Sequence, residues 1–201
     1  MKNLYQVKTT KSIYDFNSNT LLGVQVLSMS KRIMNEVMCL AEDIGVKIYY
    51  QDTDSMHLEK SKLSLLRDEF FKKYGRILDG DDLGQFHSDF DELNESWAYK
   101  SIFNGKKCYI DLLTNENGEK AIHYRMKGVS LDCVKDEALK RYKCEDDEAL
   151  YKIYVELFDE KAIKFNLLAT GPKMKALKDR KIQTQTKFER KIQFKGIKNI
   201  I

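Results

Sequence analysis

The stretch Ile48-Tyr49-Tyr50-Gln51-Asp52-Thr53-Asp54-Ser55-Met56-His57-Leu58 places two carboxylates, two residues apart, between two short β-prone runs. Ile48, Tyr49 and Tyr50 favour a strand, and Met56, His57 and Leu58 can continue one on the return. The expected hairpin puts Asp52 and Asp54 at or beside its tip. Residues two apart on a strand point to the same face, so the two carboxylates can converge. Hard divalent ions such as Mg²⁺ are bound by one or two carboxylates together with substrate phosphates. That is the chemistry of phosphoryl or nucleotidyl transfer.

An Asp-x-Asp pair also serves as a solvated turn with local backbone hydrogen bonds. An EF-hand loop fails, because Met56 and His57 stand where a ligand and the tight-turn glycine are needed. A metal-dependent glycosyltransferase would use an Asp-x-Asp pair too. It would also need a nucleotide-binding βαβ region, and the 47 residues before the hairpin are few for one and lack a Gly-rich loop.

The wider string Tyr50-Gln51-Asp52-Thr53-Asp54-Ser55 closely resembles motif C of the family B DNA polymerases, Tyr-x-Asp-Thr-Asp-Ser, over six positions with one free. Two further strings follow in family order. Lys107-Cys108-Tyr109 is similar to the family's Lys-x-Tyr motif, and Lys127-Gly128-Val129 to the Lys-Gly-Val element after it, near the palm–thumb junction. The resemblance covers most of the chain, and the compact layout is most similar to the protein-primed subgroup. The family's motif A aspartate and the Asn-Ser-x-Tyr-Gly string of motif B have no counterpart: the only proline is Pro172, and Asn17-Ser18-Asn19 lacks the Tyr-Gly. The chain thus resembles the C-terminal part of such a polymerase, beginning just after motif B.

The resemblance implies an α+β fold. A partial palm, an antiparallel sheet with packed helices and the motif C hairpin, is expected over residues 1–130, and a small DNA-binding thumb over 131–201. It implies DNA synthesis by two-metal nucleotidyl transfer, with Mg²⁺ as cofactor and the metal site completed by a motif A aspartate outside this chain. Asp54 would be the first metal-binding carboxylate and Asp52 the less direct one. Thr53 and Ser55 would shape the tip, and Tyr50 and Gln51 would line the floor under the primer terminus. Lys107, Tyr109, Lys127 and Gly128 would hold the primer–template duplex. The implied partners are primer–template DNA, deoxynucleoside triphosphates, a separate chain carrying motifs A and B, and a terminal priming protein. A catalytically inactive DNA-binding remnant is the alternative.

The 201 residues are enough for one or two domains. Charged residues make up 33%, above the usual figure of about 25%, so the surface is ionic. No apolar run approaches the roughly 18 residues of a membrane span, and Met1 to Gln6 lead into no apolar signal region. The expectation is an intracellular protein, not secreted and without a membrane partner; viral, plasmid, organellar and cytoplasmic settings all fit. Cys39, Cys108, Cys133 and Cys144 form no Cys-x-x-Cys pair, and His57, His87 and His123 are scattered, so zinc-type spacing is absent. Cys39 falls on an apolar helical face and is expected in the core.

Leu22, Val26, Met29, Ile33, Val37 and Leu40 recur every three or four residues, which predicts an amphipathic helix to about residue 43, capped by Asn19 or Thr20 and ended by Gly45. That periodicity predicts a buried face holding the hairpin from behind. A second helix is expected over 61–74. Residues 79–95 carry seven acids and no Lys or Arg, and their Asp and Gly content marks a solvated loop, facing away from DNA. Trp97 to Phe103 and Lys107 to Leu113 predict a hairpin with an Asn104-Gly105 turn, placing Lys107 and Tyr109 on one face of a strand. Asn115 to Gly118 is a second turn, and Ala121 to Met126 a strand delivering Lys127-Gly128. A helical pattern follows Leu131. Residues 173–201 hold ten Lys or Arg against two acids, a net of +8, while the whole chain is only +4. Interleaved Ile182, Phe188, Ile192 and Phe194 suggest a structured piece that contacts phosphates.

Overall fold

The computed structural model describes residues 20–90, 93, 95–176 and 182–196; of 168–176 and 182–187 it describes the backbone only. The chain is α+β, with four α-helices and three small antiparallel sheets among the described residues. It divides into two compact units, residues 1–86 and 87–201.

In the first unit, α1 (Thr20–Asp43) precedes the hairpin β1 (Ile48–Asp52) and β2 (Ser55–Leu58), followed by α2 (Leu63–Tyr74). Gly45 ends α1 as the sequence predicts, at φ +70. The Val46 N–H reaches the Ala41 carbonyl at 2.8 Å and the Gly45 N–H the Glu42 carbonyl at 3.1 Å, the paired bonds of a Schellman motif. The core gathers Val37, Leu40, Ala41, Val46, Leu66, Phe70 and Leu78, with Ile48, Met56 and Leu58 of the hairpin packed against it. The C-terminal half of α1 therefore backs the hairpin.

The N-terminal half of α1 departs from expectation. Leu22, Val26 and Met29 are exposed, as are Leu21, Val24 and Leu27. Burial starts at Met34. Helical period marks a face that can be buried; only a neighbour buries it, and α2 meets α1 along its second half. Cys39 is also exposed, not in the core. The acidic loop begins as a tight turn over Leu78 to Phe86: the Gly80 N–H donates to the Phe86 carbonyl at 2.8 Å and the Phe86 N–H to the Leu78 carbonyl at 2.9 Å; Asp91 and Glu92 of that stretch lie outside the described residues. Asp79 accepts both nitrogens of the Arg67 fork.

In the second unit, β3 (Trp97–Gly105), β4 (Cys108–Thr114) and β5 (Lys120–Met126) form a sheet in that order. The central strand β4 is buried from Cys108 to Leu113. Then come α3 (Leu131–Tyr142), α4 (Asp147–Phe158) and the ribbon β6 (Ile163–Ala176) with β7 (Ile182–Ile192). One core joins all of these, from Cys108 and Ile110 through Val134, Leu150, Tyr154 and Leu157 to Ile163 and Phe165. The boundary drawn at 130/131 from the sequence lies inside this core. Residues 1–19, the first segment of the expected palm, lie outside the described residues, as do 177–181 and 197–201 of the basic end.

The Asn115–Gly118 turn forms as expected, with Gly118 at φ +77 and the Asn115 carboxamide oxygen accepting the Glu119 N–H at 3.1 Å. The Asn104-Gly105 turn does not. Asn104 is buried within β3, and its amide donates to the Tyr154 carbonyl on α4 at 3.0 Å. The loop is instead Lys106-Lys107, between the cross-strand partners Gly105 and Cys108.

Candidate functional site

The expected hairpin is present. Asp52 and Ser55 are cross-strand partners, which leaves Thr53 and Asp54 as a two-residue loop. The Asp54 N–H donates to the Asp52 carbonyl at 2.7 Å, closing a γ-turn around Thr53. Thr53 has φ +55. Positive φ in a β-branched residue is a genuine outlier, and this turn form is rare and strained. Side chains brace it: the Ser55 hydroxyl donates to the Asp52 carbonyl at 3.1 Å, and the Thr53 hydroxyl to Asp52 Oδ1 at 3.0 Å.

The turn changes how the two carboxylates are presented. Asp52 ends a strand and is half-buried, sharing its face with Ile48 and Tyr50. Asp54 stands in the loop and is exposed, so strand alternation does not set its direction. Both offer only oxygen, as do Thr53 and Ser55. That donor set suits a hard divalent cation such as Mg²⁺. Among the described residues, no third His, Cys, Asp or Glu joins Asp52 and Asp54 in a ligand group. Tyr50 and Gln51 do not form one floor. Tyr50 is half-buried, its ring edge-on to His57 at 5.6 Å, while Gln51 is exposed on the opposite face.

The second unit holds the other expected residues. Lys107 is not on the strand with Tyr109; it sits in the loop at φ +57, exposed. Tyr109 is 6% exposed, packed 5.9 Å from Phe103 and 5.7 Å from His123. It faces the interior and not a groove. Lys127 and Gly128 form an exposed turn after β5, with Gly128 at φ +79. The Lys127 N–H donates to the Lys107 carbonyl at 3.0 Å, tying the two lysine-bearing turns together. Lys107, Lys127 and Gly128 are thus one surface, and Tyr109 lies beneath it.

Two features escaped the sequence reading. Asp111 and His123 are cross-strand partners, 0% and 2% exposed, with His123 Nδ1 3.3 Å from Asp111 Oδ2. Phe90 also packs on the His123 ring, at 5.4 Å. The signal was an aspartate inside the apolar run Ile110-Asp111-Leu112-Leu113. The other is the seat of Arg190, counted in the sequence among the ten basic residues of 173–201: it falls where the alternation Phe188-x-x-x-Ile192 calls for an apolar residue, and its guanidinium lies against Gly128. A shallow groove along α1, lined by Ser28, Lys31, Arg32, Asn35, Glu36, Cys39 and Tyr74, includes no hairpin residue.

No protein-family model, curated protein or solved structure matches this chain. No helix among the described residues is long and apolar enough to cross a membrane.

Proposed function

We propose that this chain is the motif C and duplex-binding portion of a DNA polymerase similar to family B, most similar to its protein-primed subgroup. The observation that carries the reading is the Tyr-x-Asp-Thr-Asp-Ser string folded as a strained, braced hairpin tip. Backbone strain of this kind, of order 1–3 kcal/mol, persists where the surroundings over-determine it, and it clusters at functional sites. Bound divalent ions would supply charge neutralisation at the attacking 3′ oxygen and the leaving pyrophosphate. Asp54 would hold the metal directly from the exposed loop. Asp52, fixed at the strand end with Thr53 on its Oδ1, would orient the tip and lend its second oxygen. A third carboxylate, in family pattern the motif A aspartate, would be supplied from outside the described residues, for which a separate chain carrying motifs A and B is the proposed partner. Palm is the role proposed for residues 1–130 and thumb for residues 131–201, two parts that share the core of the second unit. Primer–template DNA, deoxynucleoside triphosphates and a terminal priming protein are the proposed partners.

The test is a primer-extension and binding assay on the purified chain with Mg²⁺ and nucleotides. The expected result is primer–template binding at low salt with no, or barely detectable, incorporation. Binding should survive Asp54→Asn. Failure to bind duplex at low salt would overturn the reading. Robust extension that vanishes in Asp54→Asn would show that the missing carboxylate lies within these residues.

A further inference from the structure

We infer that Arg190, on β7, is a phosphate-binding residue that completes a cationic cradle with Lys107 and Lys127. The inference deepens the duplex-binding reading and rests on it.

The placement begins with register. Arg190 pairs across the ribbon with Phe165, Ile192 with Ile163, and Phe188 with Leu167. Directly opposed residues share a face of a sheet. Phe165, Ile163 and Leu167 are all buried in the core of the second unit. Arg190 therefore leaves its strand on the core-facing side, between Phe188 and Ile192, yet it is exposed. An arginine can do both: its methylene stem follows apolar surface while the head reaches water.

The head has a definite seat. A Cβ on Gly128 would overlap Arg190 Nη1 and lie 3.0 Å from Cζ, so the guanidinium occupies the space that a side chain at 128 would take. Next in sequence is Lys127, whose N–H is bonded to the Lys107 carbonyl. The β7 end is pinned as well. The Phe194 ring lies 3.2 Å from where a Cβ on Gly105 would be, and the Gln193 amide donates to the Glu160 carbonyl at 3.0 Å. Two lysines on turns bonded to each other, and the Arg190 head seated on one of those turns, thus come from three separated segments. Lys106 and Arg125 flank them, exposed.

The chemistry selects an extended phosphate chain. A guanidinium fork grips a phosphate through two parallel N–H bonds, while lysines act as point charges. Cations on two adjacent turns and a crossing strand suit successive phosphates of a duplex backbone better than one small anion. Backbone contacts position a duplex and carry no sequence information.

The experiment is a set of binding isotherms on the full chain, with a labelled DNA duplex at several salt concentrations. Wild type is compared with Arg190→Gln, Arg190→Lys, Gly128→Ala, Lys107→Gln and Lys127→Gln. Thermal melts accompany each variant, and inorganic phosphate and triphosphate serve as competitors. Arg190→Gln should flatten the salt slope by about 0.9, the value of one duplex phosphate contact. Arg190→Lys should keep the slope while weakening binding. Gly128→Ala should weaken binding with the charge intact, because the methyl displaces the guanidinium. Slopes that fall for the two lysine variants but not for Arg190→Gln would overturn the inference and leave the duplex-binding reading standing. The inference is equally overturned if Arg190→Gln lowers the melting temperature at unchanged slope, which would make Arg190 an edge-protecting residue. Full displacement of duplex by millimolar phosphate would mark a small-anion site and overturn it. No duplex binding by wild type would overturn both readings.

Discussion

The Asp54 N–H lies 2.7 Å from the Asp52 carbonyl oxygen, and Thr53, between them, is held at φ +55. The two carboxylates of the hairpin are thus joined through a strained backbone link, not through strand alternation.

The first prediction follows from that link. A left-handed conformation costs an L-residue roughly 1–2 kcal/mol, and glycine escapes it. Glycine brings its own entropic cost of about 0.5–1 kcal/mol, and the exposed Thr53 hydroxyl bond is lost. Thr53→Gly should therefore leave stability unchanged or raise it by up to about 1 kcal/mol, whereas Thr53→Val should lower it. Chemical denaturation of the three proteins checks this. A loss in Thr53→Gly larger than in Thr53→Val would show that the turn is not strained.

The two halves of α1 should respond differently to truncation. Leu40 is buried against α2, so Leu40→Ala should cost about 2–5 kcal/mol. Leu27 is 72% exposed, and Leu27→Ala should fall within about 0.5 kcal/mol of wild type. Denaturant midpoints of the two variants decide it. Equal losses would mean that the first half of the helix is packed in solution.

The hairpin, α1, α2 and the three-stranded sheet were legible because each rests on local pattern: period two, period 3.6, or a turn residue at its place. What was not legible depended on distant partners. Asn104-Gly105 has the composition of a hairpin turn, but Asn104 is claimed by the carbonyl of Tyr154, fifty residues on. The loop moved two residues, and Lys107 moved with it from strand to turn. Leu22 and Cys39 kept helical period and still ended exposed, since period says nothing of what lies opposite. The site was legible as chemistry, two carboxylates in a hairpin, and not as geometry. The γ-turn depends on two backbone angles that a threonine does not advertise. Arg190 was visible as a break in an apolar alternation, but its seat on Gly128 required the ribbon's register.

Alkaline pH should weaken the second unit. Burial pushes the Cys108 thiol up to about 12, and burial together with Glu156 raises the Tyr142 hydroxyl to about 12. The Tyr154 hydroxyl is raised as well, chiefly by burial. The folded state keeps these protons after the unfolded chain has released them. Stability from these groups is therefore complete below about pH 9 and declines as pH rises from there toward 12. Denaturant midpoints from pH 7 to 11 should fall above 9, and Cys108→Ala should reduce the fall. A flat profile would show that these groups ionise freely in the folded protein. In the same range, exposed Cys39 and Cys144 should react with a thiol reagent in the native state, and buried Cys108 and Cys133 only on unfolding.

The final prediction concerns the metal. The two tip carboxylates differ in what already holds them: Asp52 Oδ1 accepts the Thr53 hydroxyl at 3.0 Å, while Asp54 stands exposed in the loop. Two carboxylates and no substrate phosphate make a poor cage for Mg²⁺, which normally shares phosphate oxygens and keeps several waters. Divalent binding by the chain alone should be weak, with a dissociation constant on the order of a millimolar. Asp54→Asn should abolish it, and Asp52→Asn should reduce it less. Because Asp54 is exposed, its substitution should leave the melting temperature of the chain nearly unchanged, which separates lost ligation from lost fold. Titration with Mn²⁺ as a paramagnetic probe, with melts of each variant, provides the measurement. Tight binding that survives both substitutions would place the metal outside the hairpin and remove the chemical basis for assigning nucleotidyl transfer to it.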